Sequence, residues 1–591
     1  MGGARGVVGA RRADRVLPRW VAMVIGVGGV LIGILLALQP FRSLAVLVIV
    51  LVVALVVSGL VDLSTPLRTG HGWVRLVPGV GQLALGLALL AWPGPGLRVL
   101  TTVVSVALVL EGLGDLVEGA RAAGTARWGT VGGGVAQIVL GVLALSWPDV
   151  AVLVVAIAFG VRLALAGARL AGTGSAGART RTRLPRTPAR WRQRPGRGWQ
   201  LSRGVTAAVG AVVLAGLSLL VQRSSPQADG FYAWRDPVPA APGQLLRTEP
   251  FERDVPAGGR GWRILYSTTR DEGTPAVASA IVVSPTAAGG RTPVVAWAHG
   301  TTGWDTGCAP SVLEHPFEVG ALFSLDAVIA EGWTLVATDY VGLGTEGSHP
   351  YLIGQGEGRS VLDSIRAAHQ IEELRLTDST VVWGHSQGGH AALWAGMLAP
   401  SYAPELEISG VAALAPASNL GALVGVVGSI RVGSLFGAYV VQAYTDAYAD
   451  VAYADYVRPG AQVIVREMAA RCLSERGVLV SVATALLLDQ PVWNREPTTR
   501  PFANRLAENS PTGPITAPLL IAQGTADTLI TPASQQAYVT GRCAAGTDVD
   551  YRTYEGRDHV ALMHDDSPAV ADLLAWTEAR FDGVEASGTC R

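Results

Sequence analysis

The chain has 591 residues, 49% of them hydrophobic and only 16% charged, with 46 basic and 46 acidic side chains that cancel. This length excludes a single ordinary domain, so two or more are expected. The charge is balanced in sum but not in place: residues 1–225 are apolar and carry arginines with few acids, whereas most Asp and Glu follow them, and no lysine occurs anywhere.

Apolar segments recur at Trp20–Leu38, Leu44–Val61, Val77–Trp92, Val99–Leu113, Val131–Trp147 and Val150–Leu170, and a seventh runs from Val205 to Val221. Several just reach the roughly 20 residues a hydrocarbon core demands. A buried soluble helix could explain any one of them, but not six in succession with most centres uncharged. The first does not read as a cleaved signal, because no small-residue cleavage site precedes the second. An internal repeat ends the odd-numbered segments alike: Gly33-Ile-Leu-Leu-Ala-Leu-Gln-Pro40, Gly86-Leu-Ala-Leu-Leu-Ala-Trp-Pro93 and Gly141-Val-Leu-Ala-Leu-Ser-Trp-Pro148. This is a helical hairpin written three times. The pattern resembles the HdeD-like family of six-helix bacterial membrane proteins, which implies an all-α polytopic membrane domain over residues 1–171. Glu111, Asp115 and Arg162 fall within or late in these segments, where charges mark either a pathway or a structural pair.

Arginine placement sets the expected orientation. Arg5, Arg11, Arg12, Arg15 and Arg19 precede the first span, and Arg68, Arg75, Arg121 and Arg127 follow the second and fourth. The Pro-bearing turns hold only Arg42 and Arg98. The positive-inside rule then puts the N-terminus in the cytoplasm. Residues 172–204 form an arginine-rich linker, read as a cytoplasmic loop against anionic lipid, with no nucleic acid expected. The span at 205–221 carries the remainder of the chain outside.

From residue 231 to 591 the sequence reads as an α/β domain. Strand-like runs occur at Arg263–Tyr266, Ala278–Val283, Val294–Ala298, Thr334–Thr338, Thr380–Trp383, Gly410–Leu414, Pro518–Gln523 and Val549–Tyr554, with helical patterns such as Gly358–Glu373 between several of them. Such alternation implies a mostly parallel sheet with helices on both faces. The run Thr380–Trp383 meets Gly384-His-Ser386-Gln-Gly388, and a small-residue helical pattern follows at once. That is G-x-S-x-G in a strand–turn–helix setting, where a strained turn exposes a nucleophilic serine. The turn His299-Gly-Thr-Thr-Gly303 closes an early strand. Its place suits a second oxyanion donor, the Thr301 or a neighbouring N–H, opposite that of Gln387. The acid and base should follow the serine in that order. Asp527 lies in a loop after the strand at 518–523, and His559 lies in the loop after Val549–Tyr554, before a terminal helix near Ala569–Phe581. His564 is the fallback base, Asp558 faces the wrong way to orient its neighbour, and His299 supports its loop. The expected chemistry is acyl transfer through Ser386, with His559 as base and Asp527 orienting it; no metal or cofactor is called for.

The four cysteines, Cys308, Cys472, Cys543 and Cys590, lack zinc-type spacing and lie in one half of the chain. They suggest two disulfides in an oxidising compartment, against the alternative of four unrelated buried thiols. This fits the orientation read from arginines.

His299-Gly-Thr-Thr-Gly303 with Cys308-Ala-Pro-Ser311, Thr338-Asp-Tyr-Val-Gly-Leu-Gly344 and Gly384-His-Ser-Gln-Gly-Gly389 together resemble the secretory lipase family of α/β-hydrolases. The resemblance implies the same Ser386, Asp527 and His559, and pairing of Cys308 with Cys472 and of Cys543 with Cys590. It also implies a helical cap, here about residues 417–512, with apolar helical runs at Ala422–Val441 and Val478–Leu488 shaping an acyl pocket. The expected substrate is an acyl ester or lipid. Seven membrane spans depart from a freely secreted lipase and favour a tethered enzyme with membrane lipids around it. A serine peptidase or acyltransferase on the same scaffold, or a non-catalytic membrane stress protein, are the competing readings.

Overall fold

The computed structural model describes residues 225–590 except 288, 431–432 and 489–490, together with 19–38, 126–148, 197–223 and scattered short pieces between 80 and 171. The chain divides into two units, residues 1–212 and 213–591.

In the first unit, apolar composition yields the helices Arg19–Leu38 and Ala126–Ser146. Among the described residues, one helix, Arg127–Ser146, is long and apolar enough to cross a membrane. The expected segment 44–61, with most of 77–92, 99–113 and 150–170, lies outside the described residues, as do Glu111 and Arg162. Glycine allows helix backbones to meet: a Cβ on Gly134 would stand 2.7 Å from the Gly112 carbonyl oxygen, and one on Gly167 would stand 2.5 Å from that of Gly26. Close approach through small residues is how apolar helices associate where water supplies no driving force. Met23, Val24, Val27 and Leu31 on one helix, and Leu140, Val142 and Leu145 on the other, remain exposed. A further helix spans Arg197–Arg223. It takes in the expected seventh span and starts within the arginine-rich linker, so that linker is partly helical.

The second unit is built on one nine-stranded sheet. Its strands are β1 Leu245–Phe251, β2 Gly259–Thr269, β3 Pro275–Pro285, β4 Thr292–Ala298, β5 Thr334–Thr338, β6 Leu376–His385, β7 Glu407–Leu414, β8 Leu519–Gly524 and β9 Val549–Tyr554. They lie in the order β1-β2-β3-β5-β4-β6-β7-β8-β9. The pairings β1–β2, β2–β3 and β3–β5 are antiparallel, and every other pairing is parallel. The central strands are apolar on both faces because helices cover both. Val295 and Trp297 of β4, Val381 and Trp383 of β6, and Ala412 and Leu414 of β7 share one core with the helices Leu325–Ala330 and Pro568–Phe581. Their alternates Ala296, Ala298, Val382, Val411 and Ala413 pack on the other face against Gly354–Ala368 and Gln387–Tyr402. This period of two is what the strand pattern requires.

The strand β1 was not among the expected runs, and the helix expected at 358–373 lies instead at Gly354–Ala368. Between β7 and β8 the chain inserts a helical cap containing Leu420–Ser429, Gly433–Ala447, Gln462–Ala469, Val478–Leu487 and Phe502–Glu508. The apolar run expected at 422–441 is two helices, with Ser429 and Ile430 ending the first. The Gly433 site shows why: a Cβ there would lie 1.9 Å from the Val427 carbonyl oxygen, so the chain turns tightly back on itself at a glycine.

Candidate active site

The parallel strands all end at one edge, and the loops leaving that edge carry the chemistry, as open parallel sheets require. At the end of β6 the chain makes a turn in which Ser386 has φ 58° and ψ −116°. A non-glycine residue there is strained and is held by its surroundings. The Ser386 N–H donates to the Leu414 carbonyl at 3.0 Å, and the Ser386 carbonyl accepts from His390 and Ala417. The flanking glycines are obligatory. A Cβ on Gly384 would stand 2.0 Å from the Gly388 carbonyl oxygen, and one on Gly388 would stand 1.8 Å from that of Ala298.

His559 follows β9 and Asp527 follows β8. The two loops are joined by hydrogen bonds from Thr525 N–H to the Tyr554 carbonyl and from Ala526 N–H to the Arg557 carbonyl, both 3.0 Å. The structure brings the three residues together. His559 Nε2 is 2.9 Å from Ser386 Oγ, and His559 Nδ1 is 2.7 Å from Asp527 Oδ2. Asp527 Oδ1 accepts the N–H groups of Leu529 and Ile530, each at 2.9 Å, and Gln523 Nε2 donates to Oδ2 at 3.2 Å. Burial pushes the Asp527 carboxyl up, but the bond to His559, its charge and the two backbone donors outweigh this and hold it below the usual carboxylate range. An ionised, buried carboxylate that accepts from Nδ1 fixes the tautomer leaving Nε2 free to take a proton from the serine.

His385, the residue before the serine, lies against the His559 ring. Its ring centroid is 4.7 Å from that of His559, and its Nε2–H donates to the His559 carbonyl at 2.8 Å. Burial, then the neighbouring imidazole, pushes its pKa down to about 3, so it is a neutral support. His299 is likewise buried, with its ring nitrogens facing the Gly300 and Asp339 carbonyls, and burial lowers its pKa to about 4. His564 makes its ring contact with Phe323, and Asp558 caps the N–H groups of Val560 and Ala561; neither reaches the serine through a hydrogen bond.

Thr301 and Gln387 both line a narrow cleft of about 20 Å³ at Ser386. The rest of its wall is apolar and comes largely from the cap: Leu423, Val424 and Val427, then Phe436, Gly437 and Val440, with Trp493, Leu529 and Ile530. Apolar walls around a few polar groups are the usual build of a small-molecule site. Gln387 begins the helix Gln387–Tyr402, whose N-terminus favours negative charge beside the serine. Thr301 Oγ1 is 2.9 Å from the Tyr351 hydroxyl.

The structure joins Cys308 to Cys472 and Cys543 to Cys590, leaving no cysteine free. The first bond ties the turn after β4 to the cap, where the Leu473 N–H also donates to the Thr302 carbonyl at 2.8 Å. Among the described residues no group of His, Cys, Asp or Glu is arranged to hold a metal ion.

Three buried residues beside the elbow carry no sequence signal that singles them out. The Gln387 side chain donates from Nε2 to Glu357 Oε1 at 2.7 Å and to His349 Nε2 at 2.9 Å. Burial pushes the His349 pKa down to about 3, so the ring is neutral, and because its Nδ1 faces the Val341 carbonyl at 3.3 Å its Nε2 is the acceptor. Glu357 Oε2 is 2.8 Å from His390 Nδ1.

Comparison with known proteins agrees with this architecture. A secretory lipase family model matches residues 318–588, and a short repeat of unknown function, DUF308, matches 24–87, 77–133 and 132–171. A probable inactive lipase of Mycobacterium tuberculosis is 27% identical over 58% of this chain and 79% of its own length. Lipase A of Moesziomyces aphidis is 28% identical over 35% of this chain, which spans about half (47%) of that protein. Among solved structures, Candida antarctica lipase A superposes with a TM-score of 0.51 at 20% identity, over 62% of this chain and 88% of its own, a likeness of fold. Residues 318–588 therefore match the secretory lipase family on an α/β-hydrolase fold, and residues 24–171 match the DUF308 repeat.

Proposed function

We propose that this protein is a membrane-anchored serine carboxylester hydrolase, a lipase or esterase, that acts through Ser386, His559 and Asp527 on an acyl ester or lipid. The observation that carries the reading is the continuous hydrogen-bonded chain from Asp527 through His559 to a serine held at φ 58°. In the proposed cycle His559 takes the Ser386 proton as the oxygen attacks the acyl carbonyl. The tetrahedral oxyanion is met by the backbone N–H groups of Gln387 and of Thr301 or its neighbour. The imidazolium then protonates the departing alcohol, and water resolves the acyl-enzyme by the same route in reverse. The apolar cleft favours an acyl chain over a peptide's polar backbone, which would leave amides unpaired there.

In this reading residues 1–171 form a six-span domain, 172–204 a cytoplasmic linker, and 205–221 a seventh span that leaves the domain 231–591 outside the cell membrane. Two disulfides suit that compartment. A second reading, a non-catalytic domain, has one observation in its favour: the mycobacterial relative is named a probable inactive lipase. Full-length protein in detergent separates the two. Hydrolysis of p-nitrophenyl esters, and labelling by a fluorophosphonate that Ser386→Ala abolishes, are expected of the hydrolase. Folded protein showing neither would overturn it.

A further inference from the structure

Both oxyanion donors need to be fixed before substrate arrives, since a preorganised dipole pays no reorganisation as charge develops. The residues nearest them converge on one buried carboxylate. Glu357 has no exposed surface. Its Oε1 accepts from the Gln387 side-chain amide at 2.7 Å and from the Leu352 N–H at 3.0 Å. Gln387 supplies one expected oxyanion N–H. Leu352 has φ 55° and adjoins Tyr351, whose hydroxyl is 2.9 Å from Thr301 Oγ1, and Thr301 lines the same cleft as Ser386 and Gln387. The other carboxylate oxygen faces His390 Nδ1 at 2.8 Å, and His390 Nε2 faces the Asn509 carbonyl at 2.8 Å, at the end of the cap.

The donors and acceptors limit what this cluster can be. A carbonyl only accepts, so His390 Nε2 carries a proton. The contact between Nδ1 and Oε2 then needs a second proton, on the ring or on the carboxyl. The Glu357–His390 pair is in either case neutral as a unit, which is how it tolerates complete burial. The Gln387 amide has no freedom left: both its N–H groups are used, on Glu357 and His349, and its Oε1 has no partner. Such an amide is a tether on the residue after the nucleophile, at no gain to packing alone.

We propose that Glu357 is a positioning residue for the oxyanion hole: through the Gln387 amide and the Tyr351–Leu352 turn it holds both expected donors in place, with His390 as its counterpart and the link to the cap. This rests on the hydrolase reading above. Glu357 touches no substrate and acts only through the residues it holds.

The test uses full-length protein in detergent, with p-nitrophenyl butyrate as substrate and an alkyl trifluoromethyl ketone as probe. The ketone's adduct with the serine places an alkoxide in the oxyanion hole, whereas the ester's KM reports mainly ground-state binding. Glu357→Ala is expected to lower kcat by roughly 10–100-fold, as for a donor displaced by a fraction of an ångström to one ångström, with KM within about 2-fold. The inhibition constant of the ketone should rise by the same factor. Glu357→Gln should recover to within about 3-fold of wild type, because its carbonyl can accept from Gln387 and Leu352 while its amide donates to a neutral His390. Gln387→Ala, which keeps the backbone N–H and removes the tether, should reproduce the loss, and the double variant should lose no more than Glu357→Ala. If Glu357→Ala does not fold, Gln387→Ala carries the test. An unchanged ketone affinity in either folded variant, additive losses, or no recovery by Glu357→Gln would overturn the proposal. A folded wild type without Ser386-dependent turnover would overturn the hydrolase reading and this inference with it, whereas an active wild type beside an unaffected Glu357→Ala would overturn the inference alone.

Discussion

Replacing Trp493 should change which acyl chains this domain prefers. The indole is 6% exposed and stands between two hollows. One is the narrow cleft at Ser386, about 20 Å³; the other, about 250 Å³, lies between the cap helices Leu420–Ser429 and Val478–Leu487, and Val427 and Trp493 line both. The ring is a fixed wall. Its backbone bridges Val457, Arg458 Nε donates to its carbonyl at 2.8 Å, and a Cβ on Gly437 would lie 2.8 Å from its Cζ2. In the wild type each acyl methylene that enters the cleft should gain about 0.8 kcal/mol, roughly 4-fold in kcat/KM, until the chain meets the indole. Trp493→Ala joins the hollows, so the gain continues. Four further methylenes give at most about 4 × 0.8, or 3 kcal/mol, a ceiling of roughly 200-fold in favour of the longer ester that chain ordering lowers. Gly437→Val should act in the opposite sense by narrowing the cleft. The assay is kcat/KM across p-nitrophenyl esters from acetate to palmitate, normalised to the fraction of protein labelled at the serine. Normalisation matters because truncating a buried tryptophan costs about 3–5 kcal/mol of stability. If the chain-length profile of labelled Trp493→Ala superimposes on that of wild type, the indole is not the end wall and the assignment of the cleft is wrong.

Asp527→Asn should lower kcat by about 10⁴, because an amide facing Nδ1 selects the wrong imidazole tautomer. The same carboxylate is held below its unfolded pKa, so it stabilises the fold above that unfolded value, and the contribution is lost as pH falls through the folded one. Thermal melts should therefore show the variant less stable than wild type at pH 7, with the gap closing below about pH 4. Gly388→Ala places a Cβ 1.8 Å from the Ala298 carbonyl oxygen, so the elbow must shift; turnover should fall at least ~100-fold while circular dichroism retains the α/β signature. Removing Cys308–Cys472, which closes 164 residues, should cost up to about 5 kcal/mol by loop entropy, against about 4 kcal/mol for the 47-residue Cys543–Cys590 loop, read from denaturant midpoints of Cys→Ser pairs.

The parts of this site that were legible in the sequence are those imposed by local sterics. Gly384 and Gly388 are written into the chain because any side chain there would strike a carbonyl within 2.0 Å. Asp527 could be placed because it follows the apolar strand Leu519–Gly524 and His559 because it follows the last strand-like run, and parallel strands deliver their ends to one edge. The first strand was missed for a physical reason: Leu245–Phe251 pairs on one side only, is half exposed, and contains Arg247, Glu249 and Pro250, as befits an edge. The break near residue 430 was hidden because both sides of it are equally apolar. Glu357 was invisible since nothing local marks it; its meaning comes from Gln387 and His390, 30 and 33 residues away, which only the packed helices bring near.

Two of the cap's fastenings lead to the side of the serine where Thr301 and Gln387 lie. Cys472 is bonded to Cys308 and Leu473 to Thr302, so the middle of the insertion is stapled to the turn that carries Thr301. At its end, Asn509 accepts from His390 and Trp394 through its carbonyl and from the Gly354 N–H through its side chain, which ties it to the two helices that hold Glu357 and Gln387. The acyl side is fastened through one of its two helices: in Gly433–Ala447 the Tyr444 hydroxyl donates to the Leu352 carbonyl and Asp446 accepts from Ser348 Oγ, both at 2.9 Å, whereas among the described residues no side-chain hydrogen bond ties Leu420–Ser429 to the sheet domain. Its wall comes from Leu420–Ser429 and Gly433–Ala447, joined to the sheet through the short segment after β7. Any rearrangement that admits a longer acyl chain is therefore expected to fall first on Leu420–Ser429. The fold thus separates a wall that can differ with the substrate from donors that have to stay where they are, since acyl groups vary in length while the oxyanion they form does not.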